Sequence, residues 1–98
     1  MTPKIHAVHF HADSKLIEYI NERLQQAEHF YDHIINTEIF LKLDSHHTVK
    51  DKIVEIKLSI PGKTLFCESG GKSFEQVFDE ALDGILKQLK KHKEKQQS

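Results

Sequence analysis

The longest amphipathic pattern in the chain runs from Ser73 to Lys95. Apolar residues recur there three and four positions apart, which is the spacing of a helix with one buried face. They are Phe74, Val77, Phe78, Ala81, Leu82, Ile85, Leu86 and Leu89. Ser73, followed three residues later by Gln76, predicts a capping box at the start of this helix. The opposite face is acidic in its first half and basic in its second. The residues concerned are Asp79, Glu80, Asp83, Lys87, Lys90, Lys91 and Lys95.

A second helical pattern lies nearer the N-terminus, at residues 14–30. Its apolar positions are Leu16, Ile17, Ile20, Leu24, Ala27 and Tyr31. Asp13 precedes the pattern and predicts the N-cap of this helix. The outer face carries few basic residues: Lys15 is on it, and Arg23 and Tyr19 lie at one border of the apolar stripe.

Four shorter stretches predict β-strands. They are Lys4–Phe10, Thr37–Leu43, Ile53–Ile60 and Thr64–Glu68. The second and third alternate between apolar and polar residues, as expected for strands with one buried face. Residues 44–51 are almost entirely polar and predict a hairpin loop. Pro61-Gly62 predicts a tight turn, because proline suits its first central position and glycine tolerates positive φ at its second.

The predicted order of elements is β-α-β-β-β-α. A helical crossover favours parallel pairing of the first two strands, and the short connections favour an antiparallel meander for strands two to four. The polar residues of the strands share one face, so both helices are expected on the other. The sequence therefore predicts an α+β two-layer sandwich, with a four-stranded mixed sheet and two helices packed on one face.

The 98 residues are enough for one domain, expected to span residues 1–98 with a frayed basic tail from about 90 to 98. We find no apolar run long enough for a membrane span and no apolar segment typical of a signal peptide. The single cysteine, Cys67, permits no internal disulfide. A cytoplasmic location is therefore expected.

Charge is distributed unevenly along the chain, although the net charge is only −1. Residues 1–48 carry 4 basic and 7 acidic side chains, a net of −3, whereas residues 49–98 carry 10 and 8, a net of +2. Lysines near the end of a helix complement its macrodipole, and this explains one or two of them. Five lysines in the last thirteen residues exceed that need. The net charge argues against a strong nucleic-acid binder, and the charge pattern alone leaves open what the remaining lysines bind.

The chain resembles the short-form ribosome hibernation promoting factor family, also called ribosome-associated inhibitors or ribosomal subunit interface proteins. The most specific match is the ending Gln88–Lys95, QLKKHKEK. Asp79 matches an aspartate in the family's second helix. A further match is HFYD at His29–Asp32, followed by the strand Ile39–Leu43. The resemblance spans residues 5–95 and agrees with the predicted order of elements.

This resemblance implies a stress-response role in which the protein silences idle ribosomes. It would bind the small ribosomal subunit near the decoding centre, in the channel for mRNA and tRNA, and inhibit translation. The implied partners are ribosomal RNA and neighbouring ribosomal proteins, with no membrane and no small-molecule substrate. The candidate rRNA-binding residues are Lys87, Lys90, Lys91, His92, Lys93 and Lys95, with Arg23 and Lys15 in support.

No cofactor, metal ion or enzymatic activity is expected. His6, His9 and His11 form an H-x-x-H-x-H pattern, in which His9 and His11 would share a face of a regular strand. No cysteine or carboxylate cluster completes a metal site there. Cys67 is interpreted as a small core residue, and no catalytic arrangement accompanies it.

Two other functions remain as alternatives. One is a protein–protein adaptor of the same fold, which would use the open face of the sheet around Phe40. The other is a general binder of double-stranded RNA, which shares the α+β layout.

Overall fold

The computed structural model describes residues 3–29, 31, 33–46 and 51–97. Its elements follow the predicted β-α-β-β-β-α order. They are β1 (Lys4–Ala7), α1 (Ser14–Glu28), β2 (Asn36–Leu43), β3 (Lys52–Ile60), β4 (Lys63–Gly71) and α2 (Phe74–Gln97). None of the helices in these residues is long and apolar enough to cross a membrane.

The four strands form one mixed sheet in the order β1-β2-β3-β4. β1 pairs parallel to β2, with Ile5 opposite Ile39. β2, β3 and β4 form an antiparallel meander, as predicted. The turn between β3 and β4 contains Gly62 at a φ of 78°, the positive value expected from the Pro-Gly pair.

The core lies between one face of the sheet and the two helices. Alternation along β2 and β3 directs one set of side chains inward, among them Ile39, Leu41, Val54 and Ile56. α2 contributes its predicted apolar stripe, from Val77 to Leu89, and α1 adds Leu16, Ile20 and Leu24 to the same core. Glu38, Lys42, Glu55 and Lys57 lie on the opposite face, whereas Thr37 is buried on the core side. The predicted two-layer α+β sandwich is therefore confirmed.

Both predicted N-caps are confirmed. The Asp13 carboxylate accepts a hydrogen bond from the backbone N–H of Lys15, at 3.1 Å. The Ser73 hydroxyl accepts one from the backbone N–H of Gln76, at 3.3 Å. Each bond satisfies an N–H that the first helical turn leaves without an intrahelical partner.

α2 extends further than the sequence suggested. It is helical to Gln97, two residues beyond the end of the predicted pattern at Lys95, and the fraying expected from about residue 90 stays a prediction. Leu89 is only 4% exposed and holds this part of the helix on the core. The residues that follow are mainly lysine, glutamate and glutamine, which have high helix propensity.

Two strands differ from their predicted lengths by more than one residue. β1 ends at Ala7 and not at Phe10, because His9 has a φ of 64° and turns the chain out of the extended conformation. His9 and His11 therefore do not share a face of a regular strand. β4 continues through Gly71, since its pairing with β3 persists to the Lys52–Gly71 pair. Gly70 and Gly71, which lie beyond the predicted strand Thr64–Glu68, are part of β4.

A glycine inside α2 allows a close approach to the sheet. A Cβ at position 84 would overlap the Sγ of Cys67 on β4. Cys67 is half-buried and packs against the core, as the sequence predicted. Gly84 is unfavourable for a helix by about 1 kcal/mol relative to alanine. The close helix–sheet packing here offsets that cost.

Candidate functional site

The C-terminal part of α2, Lys87–Lys95, presents most of the predicted site residues, and we call it the cationic segment. Its lysine side chains are exposed. Lys87 pairs with Asp83 one turn earlier, at 3.1 Å, but this pair is 77% and 65% exposed and so is weak. Within the described part of the chain, no hydrogen bond or ion pair holds Lys90, Lys91 or Lys93. These ammonium groups are available to an external anion.

Helical geometry distributes the lysines over two flanks of the cationic segment. Lys87, Lys90 and Lys91 are separated by three and four residues, so they are neighbours on one side of the helix. A shallow surface depression lies among them, with Gln88 and Glu94 at its borders. Lys93 and Lys90 border a different depression on the side facing α1. The segment is therefore suited to a broad polyanion.

The depression on the α1 side is a groove of about 430 Å³. Among the described residues it is lined by Tyr31, Leu86, Leu89, Lys90 and Lys93. Tyr31 and Leu89 are almost buried, at 8% and 4% exposed, whereas Leu86 is half-buried. The groove thus combines an apolar lining with two lysines.

His92 is placed differently from the lysines around it. The residue is half-buried, and its Nε2 is enclosed without a hydrogen-bond partner among the residues described. Its ring therefore faces the body of the domain more than the solvent. Its role in RNA binding stays a prediction.

Arg23 is held by α2. Its Nε and one Nη donate to the two Asp79 carboxylate oxygens, at 3.1 and 3.2 Å, in a bidentate pair. Tyr19 donates its hydroxyl to Asp79 as well, at 2.5 Å. We call these three residues the interhelical clamp. The sequence placed Asp79 on the outer face of α2, and only the arrangement of the helices shows that this carboxylate contacts α1.

The interhelical clamp shifts the ionisation of its members. The hydrogen bond to Asp79, followed by burial, raises the pKa of the Tyr19 phenol above its ordinary value of 10.0. Hydrogen bonds to Tyr19 and Asp79 raise the pKa of the Arg23 guanidinium. The Arg23 side chain is still 43% exposed, so it can be approached from solvent while it remains bound to Asp79. Its RNA contact stays a prediction.

Lys15 lies away from the cationic segment. The Tyr19–Asp79 bond joins the first halves of both helices, and the groove brings Tyr31, just beyond α1, beside Leu89 late in α2. The helices therefore run in the same direction. Lys15, in the first turn of α1, is exposed near the end where α2 begins. It would contribute to a second contact area.

The open face of the sheet carries aromatic residues beside charged ones. Phe40 stacks on the His6 ring with a centroid distance of 4.8 Å, and the Lys57 ammonium lies 5.4 Å from the Phe40 centroid. Phe66 is 46% exposed and pairs across the strands with Lys57. Charged and polar side chains thus separate the two phenylalanines, which gives the predicted adaptor surface around Phe40 little continuous apolar area.

The histidine, cysteine and carboxylate side chains of the described residues do not gather into a metal site. No group of three histidine, cysteine, aspartate or glutamate side chains there is placed to hold a metal ion. His6 instead lies 3.3 Å from the Glu38 carboxylate, on the open face of the sheet.

Comparisons with known proteins bear on the whole chain. Residues 4–97 match the family described as Sigma 54 modulation protein / S30EA ribosomal protein. A ribosome hibernation promoting factor from Pseudomonas putida is 33% identical over 98 residues, covering 100% of this chain and 92% of the relative. The structure of a ribosomal subunit interface protein from Coxiella burnetii has a TM-score of 0.85 at 22% identity, covering 95% of this chain and 98% of that one. The N-terminal domain of Thermus thermophilus Protein Y gives a TM-score of 0.79 at 19% identity, covering 94% and 99%.

Proposed function

The chain belongs to the Sigma 54 modulation protein / S30EA ribosomal protein family, and from this membership we propose that it is a ribosome hibernation factor. It binds the small ribosomal subunit near the decoding centre, in the channel that mRNA and tRNA would occupy, and so inhibits translation. It works in the cytoplasm by occupying this site and not by catalysis. The name of its Pseudomonas putida relative and its resemblance to the hibernation factors support the proposal.

The main support for this proposal is the set of exposed lysines in the cationic segment. Lys90, Lys91 and Lys93 are exposed, and no neighbour in the described structure neutralises them. Lysines that approach phosphates release the counterions condensed on the nucleic acid, which gives salt-dependent binding without sequence preference. Base-paired rRNA would then be recognised by its shape, its phosphates and its 2′-hydroxyls.

The remaining candidate residues have secondary roles in this proposal. Lys95 extends the cationic segment, and His92 adds a polar ring on its inner side. Arg23 offers an exposed guanidinium beside α2, and Lys15 contacts phosphates at the other end of the helices. The footprint is therefore centred on α2, with weaker support from α1.

Charge reversal of the cationic segment tests the proposal. We expect the triple variant Lys87→Glu, Lys90→Glu and Lys91→Glu to lose co-sedimentation with small ribosomal subunits, with at least a hundredfold lower affinity, because attraction to phosphate becomes repulsion. These side chains are exposed, so the circular dichroism spectrum should be unchanged. Inhibition of cell-free translation should disappear in parallel.

The matched control reverses three lysines outside the cationic segment: Lys4, Lys63 and Lys72. All three are exposed, and the change in net charge is the same. We expect this control to keep most of its co-sedimentation. Equal losses in the two triple variants would show that only the net charge matters, and unchanged co-sedimentation of the first would refute the site. An excess of duplex RNA that removes the protein from ribosomes would favour the general RNA binder.

The adaptor function keeps one specific observation in its favour. Phe66 is 46% exposed on the open face of the sheet, where a partner could cover it. A pull-down from cell lysate separates the two functions. Ribosomal RNA together with small-subunit proteins supports hibernation, whereas one stoichiometric protein lost on Phe66→Ser supports the adaptor.

A further inference from the structure

The groove beside the cationic segment differs from an ordinary phosphate-binding surface. Among the described residues, its lining consists of Tyr31, Leu86 and Leu89 together with two lysines, Lys90 and Lys93. A phosphate alone needs cations and hydrogen-bond donors, and it gains nothing from three apolar neighbours. The ligand that matches this lining has an apolar part and an anionic part close together.

We propose that this groove takes the base of an unpaired RNA nucleotide. The planar base lies against Leu86, at the wall that Tyr31 and Leu89 form, and the adjoining phosphates lie at Lys90 and Lys93. This inference rests on the proposed function, since it names a particular contact within the RNA-binding surface. It adds recognition of a single-stranded element to the shape-dependent binding of paired RNA.

The size and shape of the groove suit such a ligand. Its volume of about 430 Å³ falls within the range of about 300–1,000 Å³ that is usual for small-ligand sites. Half-buried Leu86 offers apolar surface that solvent now covers, while Tyr31 and Leu89 are almost fully packed. Tyr31 is further fixed by an edge-on contact with His33, at 5.7 Å between the ring centroids. The apolar lining is therefore formed before a ligand arrives.

The charges favour RNA over an apolar peptide side chain. Lys90 and Lys93 are three residues apart and are neighbours along the helix, as consecutive phosphates of one strand would require. Both are exposed and unpaired within the described residues. Single-stranded RNA is commonly bound in this way, with bases on aromatic or apolar side chains and the backbone on a positively charged surface. A hydrophobic peptide segment would leave both ammonium groups without a partner.

Methyl NMR on the unmodified protein tests the groove without a variant. The probes are a single-stranded octauridylate and an abasic octamer with the same ribose-phosphate backbone, both at low salt. A base in the groove contacts Leu86 and Leu89, so their methyl resonances should shift with octauridylate and not with the abasic octamer. If octauridylate binds but leaves the Leu86 and Leu89 methyl resonances unchanged, or does not bind although small subunits do, the groove proposal is refuted.

A matched pair of substitutions tests the same contact by affinity. Leu86→Ser removes apolar surface from the groove without changing charge, and Leu43→Ser does so at a 49%-exposed site outside the groove. We expect Leu86→Ser to bind octauridylate about tenfold more weakly, with abasic binding unchanged, and Leu43→Ser to match the unmodified protein. Circular dichroism establishes that each variant folds, and if Leu86→Ser does not, the NMR result stands alone.

The outcomes separate this inference from the proposed function. If the unmodified protein binds neither small ribosomal subunits nor octauridylate, the proposed function itself is wrong. A second outcome has three parts: the unmodified protein binds small subunits, Leu86→Ser binds them more weakly, and octauridylate and the abasic octamer bind equally. In that case an apolar side chain of a ribosomal protein occupies the groove. That result would overturn the groove proposal and leave the hibernation function in place.

Discussion

The two halves of α2 follow the same apolar pattern but differ in what surrounds their charges. In the first half, other elements hold two of the acidic groups. Asp79 binds Arg23 and Tyr19 of α1, and Glu80 accepts a hydrogen bond from the Ser69 hydroxyl of β4, at 2.8 Å. In the cationic segment, Lys90, Lys91 and Lys93 face solvent, and no hydrogen bond or ion pair holds them within the described residues. The first half is therefore built into the fold, and the second is left available for a ligand.

This difference teaches that charge pattern alone does not identify a binding surface. Both halves carry several charged residues on the side away from the core. What distinguishes them is whether a neighbouring helix or strand supplies the opposite charge or a hydrogen-bond donor. A charge that is already paired must lose that partner before it binds another, whereas an exposed lysine loses only water and counterions.

The largest expected contrast is in stability. Phe78, in the first half of α2, is fully buried, and Phe78→Ala should lower the free energy of unfolding by about 3–5 kcal/mol through lost burial and the cavity left behind. Lys91→Ala in the cationic segment should change it by less than about 0.5 kcal/mol. Urea unfolding measures both. A comparable cost for Lys91→Ala would show that the cationic segment also supports the fold.

The next contrast compares two aspartates on α2. Asp79→Asn breaks the bidentate pair with Arg23 and weakens the Tyr19 bond, so we expect a loss of about 1–2 kcal/mol of stability, allowing for solvent screening of these partly exposed groups. Asp83→Asn removes only the exposed pair with Lys87 and should cost less than about 0.5 kcal/mol. Thermal unfolding of the two variants measures the difference.

A double-mutant cycle assigns the Asp79 effect to its partner. If the interhelical clamp acts as described, Arg23→Gln should cost much less in the Asp79→Asn background than in the unmodified protein. Additive losses would mean that the two residues stabilise the protein independently.

Because Gly84 lies close to Cys67, the effect of Gly84→Ala on stability should depend on which residue occupies position 67. In a Cys67→Ala protein, Gly84→Ala should raise stability by about 0.5–1 kcal/mol, since alanine is the better helix former and the sulfur is gone. With Cys67 present, overlap with its Sγ should cancel or reverse that gain. Chemical denaturation of the four proteins tests this. Equal effects in both backgrounds would contradict the predicted overlap.

The smallest expected effect depends on pH and again concerns the interhelical clamp. Because the folded-state pKa of Tyr19 lies above 10.0, its contribution to stability is complete below pH 10.0 and is lost as the pH rises through the folded-state value. Tyr19→Phe should remove this decline. The difference in unfolding free energy between the two proteins should therefore be constant from pH 7 to 9 and shrink above pH 10. A difference that stays constant to pH 11 would contradict the raised pKa.

Much of the fold follows from local sequence. The alternation in Thr37–Leu43 and Ile53–Ile60 predicted two adjacent strands, and Asp13 and Ser73 predicted both helix starts. These signals are reliable because neighbouring residues determine them. The predicted ends of β1 and β4 were wrong, because neighbouring residues alone do not determine where these strands end. His9 takes a left-handed conformation within the tertiary fold, and the pairing with β3 extends β4 across Gly70 and Gly71.

The candidate site divides in a similar way. Helical spacing correctly placed Lys87, Lys90 and Lys91 on the exposed side of α2. It gave no sign of the groove, because Tyr31 is more than fifty residues from Leu86 along the chain. Nor did it show that Asp79 binds Arg23, although Arg23 at the border of the α1 stripe was a usable signal.

By itself the sequence determined the order of elements, the apolar faces, the helix starts and the concentration of lysines in the last turns of α2. These properties depend on residue type and on spacing within a single element. Only the tertiary structure decided which charges are paired, where His92 lies relative to the core, and that Tyr31 and α2 enclose an apolar groove. Each of these depends on contacts between residues distant in sequence, and one element's periodicity carries no information about the element packed against it.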